Sequence, residues 1–211
     1  MLAFAVSMAA TPSPRTATLP ALVYVLAAFG VISGSYGTLA ALTTVSTYSQ
    51  PRDIYLKAVT ASHEMLVPLV DAKALEKFDA HEADARYGRR NASLPIAGLG
   101  MILSCLMFAG AMRAMRGDAW GLSAWRFAAG ACIPYQLLSL GFTVAIARDL
   151  AQAVAELPAP AQLLVGGWPL MASVGFCGLA IVYYGVCVIY LRTPTVRRAF
   201  SAAAGRTPPS A

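Results

Sequence analysis

Four long stretches of this chain carry neither a charged residue nor a histidine, and that pattern limits the possible folds more than any motif. They run from Thr16 to Pro51, Asn91 to Met112, Phe127 to Ala147 and Leu157 to Leu191. An α-helix rises about 1.5 Å per residue, so roughly 20 apolar residues cross a hydrocarbon layer near 30 Å thick. Each stretch reaches that length. A water-soluble chain of 211 residues could bury one such helix but hardly four, and 58% hydrophobic against 12% charged residues is far from a soluble composition. Barrel strands would be about 10 residues long and would alternate in polarity, which these stretches do not. The sequence predicts an all-α fold, a four-helix transmembrane bundle with spans near 20–46, 94–112, 122–147 and 162–191.

Within the spans, small residues mark where helix backbones can approach each other. The first span has Gly30 and Gly34 in a GxxxG pattern, and the second has Gly100 and Ser104 at the same spacing. Gly175, Gly178 and Gly185 fall roughly on one face of the fourth and are expected to meet a neighbouring helix. Tyr24, Tyr48, Trp120, Trp125, Trp168 and Tyr190 lie near span ends, where amphipathic rings rest at headgroup level. The four cysteines all fall inside spans without CxxC or Cys/His spacing, so they read as small apolar side chains.

Outside the spans, residues 47–93 form the one sizeable extramembrane segment, with seven basic and seven acidic residues. Asp71 to Tyr87 reads as a solvated helix, alanine-rich, with Glu82 and Arg86 paired at i,i+4 and Gly88 past its end. The segment is too poor in apolar residues for a core of its own, so it is expected to lean on the membrane or on a partner. Residues 1–19 read as a flexible tail and Met1–Ala10 as an uncleaved part of it, because no basic region precedes that apolar run. Residues 192–211, with three prolines and Arg197, Arg198 and Arg206, read as a disordered basic tail. The net charge of +6 sits in short segments flanking the spans, which is an orientation signal and not a nucleic-acid-binding face. The basic short turn and C-terminal segment, against a large loop whose charges are balanced, place both termini in the cytoplasm. Arginine outnumbers lysine and alanine is abundant, an association that suggests a bacterial inner membrane.

Charge inside a bilayer costs several kcal/mol and usually marks an ion path or substrate site. No span carries one near its middle, and no paired aspartates, HExxH or Ser/His pair lies within the spans. The chain is therefore expected not to be an enzyme and to carry no catalytic, cofactor or metal site. Pro134, Tyr135, Gln136 and Ser139 make a polar spot in the third span. It reads first as a proline kink whose glutamine bonds to a neighbouring helix, and second as a binding spot or pore lining. Asp79, His81, Glu82 and Asp84 could supply ligands to a cation, but they do not share one helix face and read as a solvated charge run. Tyr183 and Tyr184 read as buried hydroxyls with helical partners. One long first loop followed by short ones resembles tetraspanin- and claudin-type topology in outline, without the loop signatures of those families. The expected role is an accessory, scaffold or assembly subunit whose partners are the bilayer and another copy or another membrane protein. The alternative is a small channel or transporter for neutral or apolar solutes.

Overall fold

A computed structural model describes residues 19–63 and 66–204. Helix α1 (Ala21–Tyr48) follows Pro20, and two shorter helices, α2 (Arg52–Ser62) and α3 (Ala72–Gly88), form a hairpin before α4 (Arg90–Met115). Next come α5 (Ala119–Ala155), one turn of α6 (Ala159–Gln162), a π-helical turn over Leu163–Gly167, α7 (Trp168–Tyr190) and α8 (Pro194–Ala204). The chain is a multi-pass, all-helical membrane protein: α1, α4, α5 and the α6–α7 run are each long and apolar enough to cross a bilayer. The expected tail at residues 1–19, with Met1–Ala10, lies outside the described residues except for Leu19.

The spans pack in chain order, α1 on α4, α4 on α5 and α5 on α7. Hydrocarbon outside the bundle removes the usual reward for burying apolar side chains, so close contact between backbones matters more. At Gly34 an added Cβ would lie 2.7 Å from the carbonyl oxygen of Ser104 and 2.8 Å from the amide nitrogen of Phe108. Gly110 meets the backbone of Trp125 in the same way, and Gly121 meets Ala114. These contacts seal the half of the bundle nearest the termini, where Val23, Leu26, Met107, Trp125 and Leu191 form one core. The α4–α5 turn is tight because Gly117 takes a φ of +80°, which side chains other than hydrogen resist. Asp118 then caps α5 by accepting from the amide of Trp120, and it pairs with Arg113 at 2.6 Å.

Three expectations need correction. The C-terminal segment is not disordered over its first part: α8 buries Val196 and Phe200 against the terminal-side core. Those two residues are spaced i,i+4, and Pro194 stands at a first turn that tolerates it. The large loop leans on the chain's own α5. At 37 residues and about 1.5 Å per residue, α5 reaches about 55 Å, well beyond a bilayer core, and Leu66, Val70, Leu75 and Phe78 pack on Leu157 and Ala161 beyond it. Lys77–Glu156 at 2.6 Å and the Arg89–Asp149 pair reinforce that contact. The Lys77 ammonium holds the exposed Glu156 carboxyl below its ordinary range through a hydrogen bond and its charge. Finally, Gly175, Gly178 and Gly185 do not meet a helix; an added Cβ would find nothing within 4 Å at any of them.

The contrast between glycines is testable. Gly34→Ala should lower the thermal stability of the detergent-solubilised protein by about 1–3 kcal/mol through overpacking. Gly178→Ala should leave it unchanged, and equal behaviour of the two would contradict the packing described.

A candidate binding cavity and the buried charge network above it

Small residues that bring backbones together near the termini leave space in the other half of the bundle. Gly37, Ala40 and Ala41 of α1 and Ser93 and Ala97 of α4 face α5 and α7 around a cavity of about 410 Å³. Most of its lining surface is apolar, with neutral hydrogen-bonding side chains interspersed: Thr44, Ser93, Ser104, Tyr135, Gln136, Ser139, Thr143 and Ser173. Four of these hydroxyls donate to carbonyls of their own helix, Thr44 to Ala40, Ser93 to Arg89, Thr143 to Ser139 and Ser173 to Pro169. Their oxygen lone pairs remain available to accept. Among the described residues the hydroxyls of Ser104, Tyr135 and Ser139 have no protein hydrogen-bond partner.

One helical turn further toward the termini the bundle closes. Ser33 and Tyr184 share a hydrogen bond of 3.0 Å, Tyr183 donates to the carbonyl of Leu26 at 2.9 Å, and Cys177 lies 3.5 Å from the carbonyl of Gln136. These contacts tie α7 to α1 and α5, where the α1 and α7 backbones are not closely packed. Such bonds between membrane helices are each worth about 1 kcal/mol.

At the loop end the cavity meets Tyr48 and Arg86. Arg86 is held by a chain of buried charges that starts under the α2–α3 hairpin. Asp79, whose side chain is 2% exposed, accepts from His63 Nδ1 at 2.7 Å. His63 Nε2 faces Glu82 at 3.5 Å, and Glu82 accepts from Arg86 Nε at 2.6 Å. Desolvation pulls the Arg86 pKa down, but Glu82 and Tyr55 beside it more than compensate and leave it raised, so the guanidinium stays charged. Burial together with Tyr48 pushes the Tyr55 phenol above its ordinary range. The second oxygen of Asp79 is buried without a partner. A buried polar atom of that kind forfeits its hydration and costs roughly 1–3 kcal/mol.

A second space of about 740 Å³ runs between the projecting end of α5 and the α6–α7 run. Leu150, Val154, Leu163, Val165 and Leu170 make its lining mainly apolar. It shares Arg86, Thr143, Ile146 and Ser173 with the cavity, so the two adjoin along α3, α5 and α7, and both linings are mainly apolar. The π-helical turn shapes this groove: Gln162 donates to the carbonyl of Leu157 at 2.7 Å, and Gly166 lets the turn sit against Val154.

The sequence-derived candidates divide accordingly. Tyr135, Gln136 and Ser139 line the cavity, whereas Pro134 is exposed on the outside of α5. Gly30 lies against Ala111 and Tyr183, Gly34 against Ser104, and Gly100 against the Tyr135 phenol that it makes room for. The acidic cluster is not a solvated run. Asp79 and Glu82 turn inward, while His81 and Asp84 stay exposed and Asp84 pairs with Arg52. No set of three or more His, Cys, Asp or Glu among the described residues could hold a metal ion. Sequence reading missed His63 and the place of Arg86 at the cavity. The i, i+3, i+7 spacing of Asp79, Glu82 and Arg86 marks one face of α3, but nothing local shows that His63 folds back onto it.

No family model matches the chain, and neither a curated protein nor a solved structure matches it.

Removing the partner of a buried carboxylate leaves its oxygen unsatisfied, at a cost of about 1–3 kcal/mol. His63→Ala should therefore destabilise the protein by an amount of that order in thermal or denaturant unfolding. His81→Ala should cost under about 1 kcal/mol, as exposed polar contacts do.

Proposed function

We propose that this protein is a non-enzymatic accessory protein of the bacterial inner membrane that holds an amphipathic guest in the loop-side half of its bundle. The observation that supports this reading is the cavity itself, mainly apolar with hydroxyls and one amide interspersed, adjoining a second mainly apolar space through Arg86, Thr143, Ile146 and Ser173. Hydrocarbon cannot satisfy hydroxyl and amide groups, so an interior lined with them favours a guest or water that can. Hydroxyls, one amide and one guanidinium bind and orient a guest. The partners in this reading are the bilayer, the guest and a second membrane protein or another copy of the chain.

Native mass spectrometry of the protein extracted in mild detergent tests the reading. Retained amphiphile is expected, and it should be lost from Ser139→Phe, which fills the cavity, while the thermal midpoint stays near that of the parent. A bare chain, with nothing retained and no partner co-purifying, would sink it. A small channel or transporter for neutral solutes is the second reading, favoured by Tyr135, Gln136 and Ser139 following one another along α5 beside the cavity. Under it, Gln136→Leu should reduce solute flux in liposomes several-fold, and unchanged flux would remove it.

We infer that both termini are cytoplasmic. On the loop side Arg52, Lys77, Arg86 and Arg89 each have a carboxylate partner, and among the described residues Lys57, Lys73, Arg90 and Arg148 have none. On the other side Arg113 pairs with Asp118 and, among the described residues, Arg116, Arg126, Arg192, Arg197 and Arg198 have no carboxylate partner, an excess of one unpaired cation over the loop side, and unpaired basic residues near span ends favour the cytoplasmic face. A green fluorescent protein fused to the C-terminus should fluoresce in cells. A dark fusion, with an alkaline phosphatase fusion at the same point active, would reverse the orientation.

A further inference from the structure

We infer that the terminal end of the bundle is a binding surface for anionic phospholipid headgroups, centred on the outward face of α8, a property independent of any guest in the cavity. The distribution of net charge carries it. At that end Arg113, Arg116, Arg126, Arg192, Arg197 and Arg198 stand against a single acidic residue, Asp118, which pairs with Arg113. The loop end has no such surplus. Arg148 joins the seven basic residues of 47–93, while Asp149 and Glu156 join its seven acidic ones, so carboxylates outnumber cations there. Among the described residues Lys57, Lys73, Arg90 and Arg148 lack an ion-pair partner, but so do Asp53, Asp71 and Glu76 in the same loop segment.

The fold sets the arginine surplus at headgroup depth and turns it outward. Only Leu191, Arg192 and Thr193 separate α8 from the end of α7, so α8 lies at the level where that span leaves the hydrocarbon. Its apolar face is already buried, with Val196 and Phe200 in the core beside Trp125 and Leu191. An interfacial amphipathic helix inserts such a face among acyl chains, and α8 has none left to insert. What it presents instead is Arg197, Arg198 and Ser201, all exposed. Its far end rests on the α4–α5 turn, where a Cβ on Gly117 would lie 3.1 Å from Ala203, and the exposed Arg116 adjoins that glycine. Guanidinium groups match phosphate oxygens in geometry as well as charge. In a zwitterionic head an ammonium cancels the phosphate, so a cationic surplus gains most from a head of net negative charge. An acidic protein segment would answer the same charge, but at the end of a span headgroups are the anions always in reach.

The exposed tryptophans give each end its own reporter: Trp120 opens α5 at the terminal end, Trp168 opens α7 on the loop side, and Trp125 is fully buried. The full-length chain is reconstituted in mixed phosphatidylcholine and phosphatidylglycerol bilayers in which one lipid or the other carries brominated acyl chains. Fluorescence quenching in Trp168→Phe then reads the lipids at Trp120, and quenching in Trp120→Phe reads those at Trp168. At Trp120 phosphatidylglycerol should be preferred at least about fivefold, the ratio that one arginine near an anionic surface supports. That preference should fall toward equality in about 1 M sodium chloride, where screening is nearly complete. At Trp168 the two lipids should quench alike. Arg197→Gln combined with Arg198→Gln should lower the preference at Trp120 by about half or more. Lys57→Gln combined with Lys73→Gln removes the same charge from the loop end and should leave it unchanged. The salt series stands even where the arginine variant fails to fold. Equal preference at both ends, or a preference at Trp120 that ignores both salt and the arginine pair, would overturn the inference. Absence of lipid preference together with binding of a polyglutamate peptide in detergent would assign the surface to an acidic protein segment and overturn it too.

Discussion

Close approach between helix backbones is the interaction on which the rest of this structure depends. In hydrocarbon, a leucine facing outward is solvated as well as one facing inward, so helices associate through van der Waals contact and interhelical hydrogen bonds. The exposed Phe29, Ile32, Leu39, Leu179 and Ile189 are lipid-facing side chains in that sense. What holds α1 to α4 is the absence of side-chain bulk at Gly34, and what holds α4 to α5 is its absence at Gly110 and Gly121. Where these contacts occur the bundle is closed. Where alanine, serine and threonine replace them without a large partner opposite, it is open.

The two halves are consequently different in character. The terminal half is sealed further by α8, whose Phe200 and Val196 join the core around Trp125 and Leu191. The loop half holds an interior with hydroxyls set among apolar side chains, and these hydroxyls are placed by helices whose own backbones satisfy much of their hydrogen-bonding demand. Tyr135 depends on Gly100 for its position, so one small residue on α4 determines where a cavity-lining hydroxyl on α5 can sit.

Among the described residues, charge reaches the cavity from the side of the α2–α3 hairpin, through Arg86. The α2–α3 hairpin can bury Asp79 and Glu82 because His63 and Arg86 compensate them, and because the projecting end of α5 gives the hairpin a surface to pack on. Compensation is incomplete at Asp79, whose second oxygen is orphaned. Buried ion pairs are weak evidence for stability but fix register well. Here they fix Arg86 at the meeting point of cavity and groove, which couples the position of the hairpin to the chemistry of the interior.

Much of this was legible in the residues. Four charge-free stretches determine four membrane helices because backbone groups in hydrocarbon must be satisfied within the helix. Glycine spacing locates α1–α4 packing for the same local reason, and Tyr135, Gln136 and Ser139 stand out because polar groups are rare in such a span. Tertiary structure alone decided which glycines are used. Gly34 and Gly178 are alike as residues, and only the presence of α4 beside one and open space beside the other separates them. It also decided that the Asp79 and Glu82 carboxylates are buried, that Val196 and Phe200 have a core to join, and that Arg86 borders a cavity. Each of these depends on a surface contributed by residues distant in the chain, His63, Trp125 or Leu157, and periodicity within one helix carries no information about what lies across from it.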